Sequence, residues 1–300
     1  IRDAGSLAER RFMEFFTADI RNSGTRRVYA HAASRFCEWC QQRGVALPAV
    51  SPFLVAAYIE QLTQRRSAPT VKQHLAAIRR LFDWLVVGQV LAINPAASVR
   101  GPKHVVKTGK TPVLTASEAR QLLDAIDCTT IIGLRDRALI GLLVYSFARI
   151  SAAIGMNIAD YYPQGRRMWF RLHEKGGKFH QVPAHHKAEA YLDEYLQAAG
   201  GDPKGTPLFR TISRARTLTA RRMHRIDALR MIKHRAVLAG LPTHIGCHTF
   251  RATGITCYLL GGGSLEHAQR IAAHESAKTT KLYDRTGDAV SLDEIERIVI

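Results

Sequence analysis

Four side chains near the end of the chain have the types and spacing for phosphodiester chemistry. They are His248 and Arg251, three residues apart, then His274, then Tyr283 nine residues further on. A guanidinium grips two phosphate oxygens at once through its planar fork. An imidazole moves protons near neutral pH. A phenol becomes a covalent nucleophile where its oxyanion is stabilised. No carboxylate pair stands beside them to hold Mg²⁺, so the chemistry implied uses no metal. Two further cations lie upstream. Arg149 closes the apolar run LLVYSFARISAAIGM, and Lys175 falls within HEKGGKFHQVP. An arginine at the end of a buried helix is costly unless an anion meets it. That anion is either a carboxylate of the chain itself, such as Asp160, or a phosphate.

The order Arg149, Lys175, His248-x-x-Arg251, His274, Tyr283 resembles that of the tyrosine recombinases, the integrase family of site-specific DNA recombinases. The flanking words LLVYSFARIS, EKGGKFHQVPAH, CHTFRAT and AAHESAKTTKLYD fit as well, and the resemblance covers nearly the whole chain. It implies a mainly α protein, with a helical core-binding domain and an α+β catalytic domain holding a small antiparallel sheet. It implies that Tyr283 attacks the scissile phosphate, leaving a 3′-phosphotyrosine and a free 5′-hydroxyl. Arg149 and Arg251 would hold the non-bridging oxygens, and His248 would accept the tyrosine proton. His274 would donate a hydrogen bond to a phosphate oxygen, and Lys175 would protonate the leaving 5′-oxygen. No cofactor is expected. Family members act as tetramers on two paired duplex sites with inverted half-sites, exchanging strands through a Holliday junction. The first helix starts at once, with no arm-binding domain ahead of it, so the chain looks like the shorter Xer, integron or transposon-resolution members. That points to the bacterial cytoplasm and to nucleoid DNA. A type IB topoisomerase-like enzyme and a catalytically silent DNA-binding protein are the alternatives, and the intact set of six argues against the second. The chain departs from the family pattern at three places: Ala152 replaces an acidic residue, Ala273 a glycine, and Phe147-Ala148 a glycine-leucine pair. None removes a reacting group.

Composition agrees with a polyanion partner. The 300 residues carry 43 Lys and Arg against 25 Asp and Glu, a net charge of +18. Such an excess suits nucleic acid. No apolar run reaches the ~18 residues that span a bilayer, so no membrane partner is expected. Five cysteines, an odd number, suggest a reducing compartment. Cys37 and Cys40 form a lone C-x-x-C in a helical pattern, with no second ligand pair near it.

The elements that must position the reacting groups follow from periodicity and caps. Residues 1–98 read as a four-helix DNA-binding domain, with helices at 6–20, 25–43 and 52–65 and a fourth opened by a capping box at Thr70 and Gln73. By the resemblance, Lys72, Arg79 and Arg80 on the fourth are candidate phosphate contacts. Residues 99–112 form a basic linker in which Lys103, Lys107 and Lys110 let two domains clamp a duplex. The catalytic domain, 113–300, opens with a capping box at Thr115 and Glu118. Its helix at 131–147 delivers Arg149, and strands at 168–173 and 179–183 flank the turn from Lys175 to Lys178, the latter a DNA contact by resemblance. A basic stretch at 210–222 adds Arg221 and Arg222 as phosphate contacts. A helix at 248–260 carries His248 and Arg251 on one face. A tail helix at 291–300, apolar through Leu292, Ile295, Ile298 and Val299, packs on its own domain or, as the resemblance implies, docks on a neighbouring catalytic domain.

Overall fold

The helices begin where the sequence supplies a cap. The computed structural model describes residues 6–106, 109–174, 177, 179–200, 203–242 and 244–284. In it the Asn22 side chain accepts from the Thr25 N–H, Ser51 from Leu54 and Thr115 from Glu118. Each satisfies a donor that a first helical turn leaves orphaned. Glu118 answers the Thr115 N–H and completes that capping box. The chain divides into two compact units, Ile1–Val105 and Val106–Ile300.

The first unit is all helical. It holds α1 (Ser6–Glu14, continuing as a π-helical turn Phe15–Asp19), α2 (Ser23–Gln41), α3 (Pro52–Thr63) and α4 (Ala68–Val87). α4 buries Val71, Leu75, Ile78, Phe82 and Leu85, a stripe at helical spacing, in one core with Phe15, Phe36 and Tyr58. Phe36 meets the rings of Tyr58 and Phe82 edge-on. The capping box expected at Thr70 does not form, because α4 starts earlier, after Ser67. Pro69, with φ already fixed near the helical value and no N–H to satisfy, is favoured in the first turn and draws the start forward.

The second unit wraps helices around α6 (Ile131–Tyr145), whose Ala138, Leu139, Leu142 and Leu143 are wholly buried. Ahead of it runs α5 (Ala116–Asp124), and after it the short α7 (Ile150–Gly155). A three-stranded antiparallel sheet follows, β1 (Tyr161–Gln164), β2 (Arg167–His173) and β3 (Phe179–Pro183), in the order β1-β2-β3. β1 was not legible beforehand, being four residues with a proline, a weak strand signal on its own. α8 (His186–Ala199) leads to a second hairpin, β4 (Arg210–Ile212) and β5 (Leu218–Arg222), where the sequence shows only a basic polar stretch. α9 (Arg225–Leu238), α10 (Cys247–Leu260), α11 (Leu265–Ile271) and α12 (Ala277–Lys281) complete the described chain. The fold is mainly α with small antiparallel sheets.

α10 lies hard against the end of α6, and Gly254 allows it. A Cβ at that position would stand 2.1 Å from the Val144 carbonyl oxygen. The chain also turns through the left-handed region at Phe147 (φ 53°) and Ala273 (φ 48°). These are two of the positions where the family pattern has glycine. A side-chain-bearing residue costs about 1–2 kcal/mol there, against about 0.5–1 kcal/mol that glycine loses in unfolded-state entropy. Ala273→Gly is therefore expected to stabilise the protein by about 0.5–1 kcal/mol, raising Tm by roughly 2–4 °C per kcal/mol. Scanning calorimetry checks this, and a lowered Tm would show that the turn at 273 carries no strain.

Candidate active site

The first turn of α10 puts His248 and Arg251 on one face. Arg251 is 1% exposed, the largest fully buried side chain among the described residues. Its Nη1 donates to the Phe147 carbonyl and its Nη2 to the Ala272 carbonyl at 2.5 Å, while Nε has no partner. Both acceptors come from the left-handed turns, one from Phe147 itself and one from the residue before Ala273. Among the described residues no carboxylate bonds to this guanidinium. Burial, and then the nearby Arg149 charge, push its pKa down to about 10.

His248 Nε2 lies 2.7 Å from Tyr283 Oη. Tyr283 is buried, and its backbone carbonyl accepts from Thr256 Oγ1 at 2.9 Å, which ties the nucleophile's segment back to α10. The ring of His274 stacks on that of Tyr283, with centroids 5.9 Å apart and planes 10° from parallel. His274 Nδ1 is 2.9 Å from Thr280 Oγ1 on α12. Burial lowers the pKa of both histidines, helped by the charges of Arg251 and Arg149; His274 falls to about 3. Both imidazoles are neutral at physiological pH. Burial raises the Tyr283 phenol, and the same two arginines partly offset that.

Arg149 occupies the N-cap position of α7 with extended backbone (φ −72°, ψ 144°). Its Nη1 donates to Glu174 Oε2, not to the Asp160 named above as its in-chain partner. Asp160 instead faces Arg171 and His173, and accepts from the Asn157 N–H. Glu174 follows directly on β2, and nothing in the sequence marked it, since a carboxylate beside a turn lysine reads as solvated. Arg149, His248, Arg251, His274 and Tyr283 thus come together. Lys175 and Lys178 lie outside the described residues.

The other basic candidates divide. Lys72, Lys103, Lys110 and Arg221 are exposed, and Lys107 lies outside the described residues. Three of those proposed to face phosphate have internal partners instead. Arg79 donates to the Ala96 and Val99 carbonyls, Arg80 to the Asp19 carboxylate, and Arg222 to the Ile154 and Met156 carbonyls and to Asn157 Oδ1. A cleft of about 860 Å³ on the first unit was missed, lined by Arg27, Arg35, Arg43, Arg65 and Arg66 among others. Its signal was present in the sequence: Arg27, His31 and Arg35 repeat at i, i+4 and i+8 along α2. Exposed His185 stacks on Tyr145 with ring centroids 4.2 Å apart and caps α8. Among the described residues no cluster of His, Cys, Asp or Glu could hold a metal ion, and no helix is long and apolar enough to cross a membrane.

Residues 112–289 match the family model of the phage integrase family, and residues 11–88 match that of the phage integrase N-terminal SAM-like domain. The chain belongs to the phage integrase family. The tyrosine recombinase XerC of Pelobacter propionicus is 32% identical over 251 residues, covering 83% of this chain and 78% of its own length. In fold the chain is similar to the XerH site-specific recombinase bound to a palindromic difH substrate, a post-cleavage complex. The TM-score is 0.75 at 17% identity, over 92% of this chain and 90% of that one. It is also similar to a lambda integrase tetramer bound to a Holliday junction, with a TM-score of 0.69 at 17% identity, over 96% of this chain and 81% of that one. This recombinase is therefore a DNA strand-transferring enzyme of the tyrosine type.

The lowered histidine pKa values set a pH dependence of stability. Below about pH 6.5 the unfolded chain protonates imidazoles that the folded recombinase keeps neutral, so the His274 contribution is present above that pH. It is lost as pH falls toward His274's folded pKa of about 3. Each such imidazole tilts stability by up to about 1.4 kcal/mol per pH unit in that window. Urea titrations of wild type and His274→Asn between pH 6 and 4 should show wild type losing stability faster by about that slope. Parallel profiles would mean that His274 titrates normally in the folded protein.

Proposed function

We propose that this recombinase cleaves and rejoins duplex DNA at a specific site through Tyr283, and that the 2.7 Å contact between His248 Nε2 and Tyr283 Oη carries the assignment. Neutral His248 accepts the phenolic proton as Oη bonds to phosphorus. The P–O5′ bond breaks, and Lys175 donates a proton to the leaving oxygen. The remaining N–H bonds of Arg251, together with Arg149, stabilise the charge on the pentacoordinate phosphorus. With Thr280 donating to His274 Nδ1, the Nε2–H is left to donate to a phosphate oxygen. The phosphotyrosine retains the bond energy, so a 5′-hydroxyl from a partner strand reverses the steps without ATP. The recombinase binds sites with inverted half-sites, and four copies pair two sites and pass strands through a Holliday junction, in the bacterial cytoplasm on nucleoid DNA. The lambda integrase tetramer, similar in fold, supports that assembly. Residues 1–98 grip the duplex as a core-binding domain. The linker 99–112 joins them to the catalytic domain, 113–300.

A nicked suicide duplex tests the chemistry. Tyr283→Phe should form no covalent adduct while binding the duplex almost as tightly as wild type, because one hydroxyl adds little to many phosphate contacts. A surviving adduct would move the nucleophile elsewhere, to Tyr258 or Tyr191. The tail, which lies outside the described residues, tests the assembly. Deleting residues 290–300 should spare single-site binding and abolish pairing of two sites in a gel-shift assay. Loss of all DNA binding would instead place the tail on its own domain.

A further inference from the structure

Arg149 has one partner among the described residues, and that partner is unusually placed. The Glu174 side chain is only 4% exposed, while Arg149 remains 34% exposed. A carboxylate so buried is expensive unless a cation and hydrogen bonds meet it. Glu174 reaches Arg149 from the end of β2, a different element from α7. On α7 itself, one turn past Arg149, stands Ala152, buried and without a polar atom. The near side of Arg149 thus offers no carboxylate, and the far side supplies one.

The electrostatics give that carboxylate a task. Arg149 and Arg251 are close enough that the first disfavours charge on the second, and Glu174 acts in the opposite sense. Two guanidiniums converging on one anion site repel each other until the anion arrives. Arg149, being partly exposed, is the one free to swing into solvent. Nη1 bonded to a buried carboxylate fixes the plane of the guanidinium and leaves Nε and Nη2 for phosphate. We propose that Glu174 is a positioning residue, holding Arg149 in the orientation that receives the scissile phosphate and doing from β2 what a carboxylate at position 152 would do from α7. This rests on the recombinase reading above. The competing view makes Glu174 an occupant of the phosphate seat that must leave before cleavage. Its burial speaks against that, because a phosphate enters from solvent and its stand-in would be exposed.

Single-turnover cleavage of a nicked suicide duplex distinguishes the two, with wild type, Glu174→Gln, Glu174→Ala and Ala152→Glu/Glu174→Ala compared. The first two variants should cleave more slowly by about a hundredfold, the scale of a misplaced reacting group, with Tm and duplex affinity near those of wild type. The double variant, with its carboxylate returned to the other side of Arg149, should recover most of the rate. Added formate should do the same for Glu174→Ala in case the crowded double variant does not fold. Cleavage of Glu174→Ala at or above the wild-type rate overturns the proposal, and a faster rate identifies an occupant of the phosphate seat. A slow Glu174→Ala that neither rescue restores also overturns it. A wild-type protein that forms no adduct counts against the recombinase reading instead.

Discussion

A buried guanidinium without a carboxylate is the constraint on which the catalytic unit depends. Arg251 is enclosed in the protein with carbonyl oxygens as its only bonded partners among the described residues, and its Nε is unsatisfied there. Two neutral dipoles do not repay the desolvation of a full charge. That burial, and then the neighbouring Arg149 charge, draw its pKa down to about 10. The surrounding chain is bent to supply even these acceptors. Phe147 and the Ala272-Ala273 turn present their carbonyls through left-handed backbone, and Gly254 lets α10 close on α6 so that the first of them is in reach. Such a site is completed by an anion with several acceptor oxygens, and a phosphodiester is one. Stability is given up locally so that binding energy is realised only with the anion in place.

The same cations set the proton chemistry. Burial, with the charges of Arg251 and Arg149 adding to it, holds His248 and His274 neutral, and the two arginines favour the tyrosinate against the burial that opposes it. One field therefore favours a neutral His248 and eases ionisation of Tyr283. Before a phosphate arrives, burial keeps Tyr283 protonated and hydrogen-bonded to His248. Once the phosphate neutralises the arginines, an imidazolium on His248 becomes tolerable, because the repulsion that lowered its pKa is relieved. Proton transfer from Tyr283 is thus coupled to occupancy of the site, with no moving part beyond the proton.

What the sequence made legible follows from how local each signal is. The helix starting at Cys247 and the capping box at Thr115 were readable because caps and periodicity are properties of a few adjacent residues. The five described side chains of the candidate site were readable because their types are rare together and their order resembled that of a family. Phe147 and Ala273 stood out as departures from glycine, and the backbone gave the reason. Glu174 was invisible because its meaning lies in a contact 25 residues away in sequence. The hairpin of β4 and β5 was hidden because its strands are short and its exposed positions are arginines and threonines, which read equally well as loop.

Charge was the least readable property, since the sequence counts cations and does not say where their head groups go. Arg135 and Arg235 both bond Asp136 inside the second unit, so part of the basic excess is structural. The three arginines with internal partners differ in how firmly they are held. Arg79 and Arg222 each bond two or more backbone or amide oxygens, and the Ala96 and Met156 carbonyls among them also accept from the Val99 and Leu208 N–H groups. Moving Arg79 would take its guanidinium donor from the carbonyl of buried Val99, at about 1–3 kcal/mol where nothing replaces it. Arg80 faces a single carboxylate and is more than half exposed. The Asp19 side chain is only 11% exposed and is gripped through both Nε and Nη2, so the pair is worth more than an exposed one, and moving Arg80 would leave a largely buried carboxylate without its cation. How firmly each is held rests on what its guanidinium would leave behind rather than on its charge.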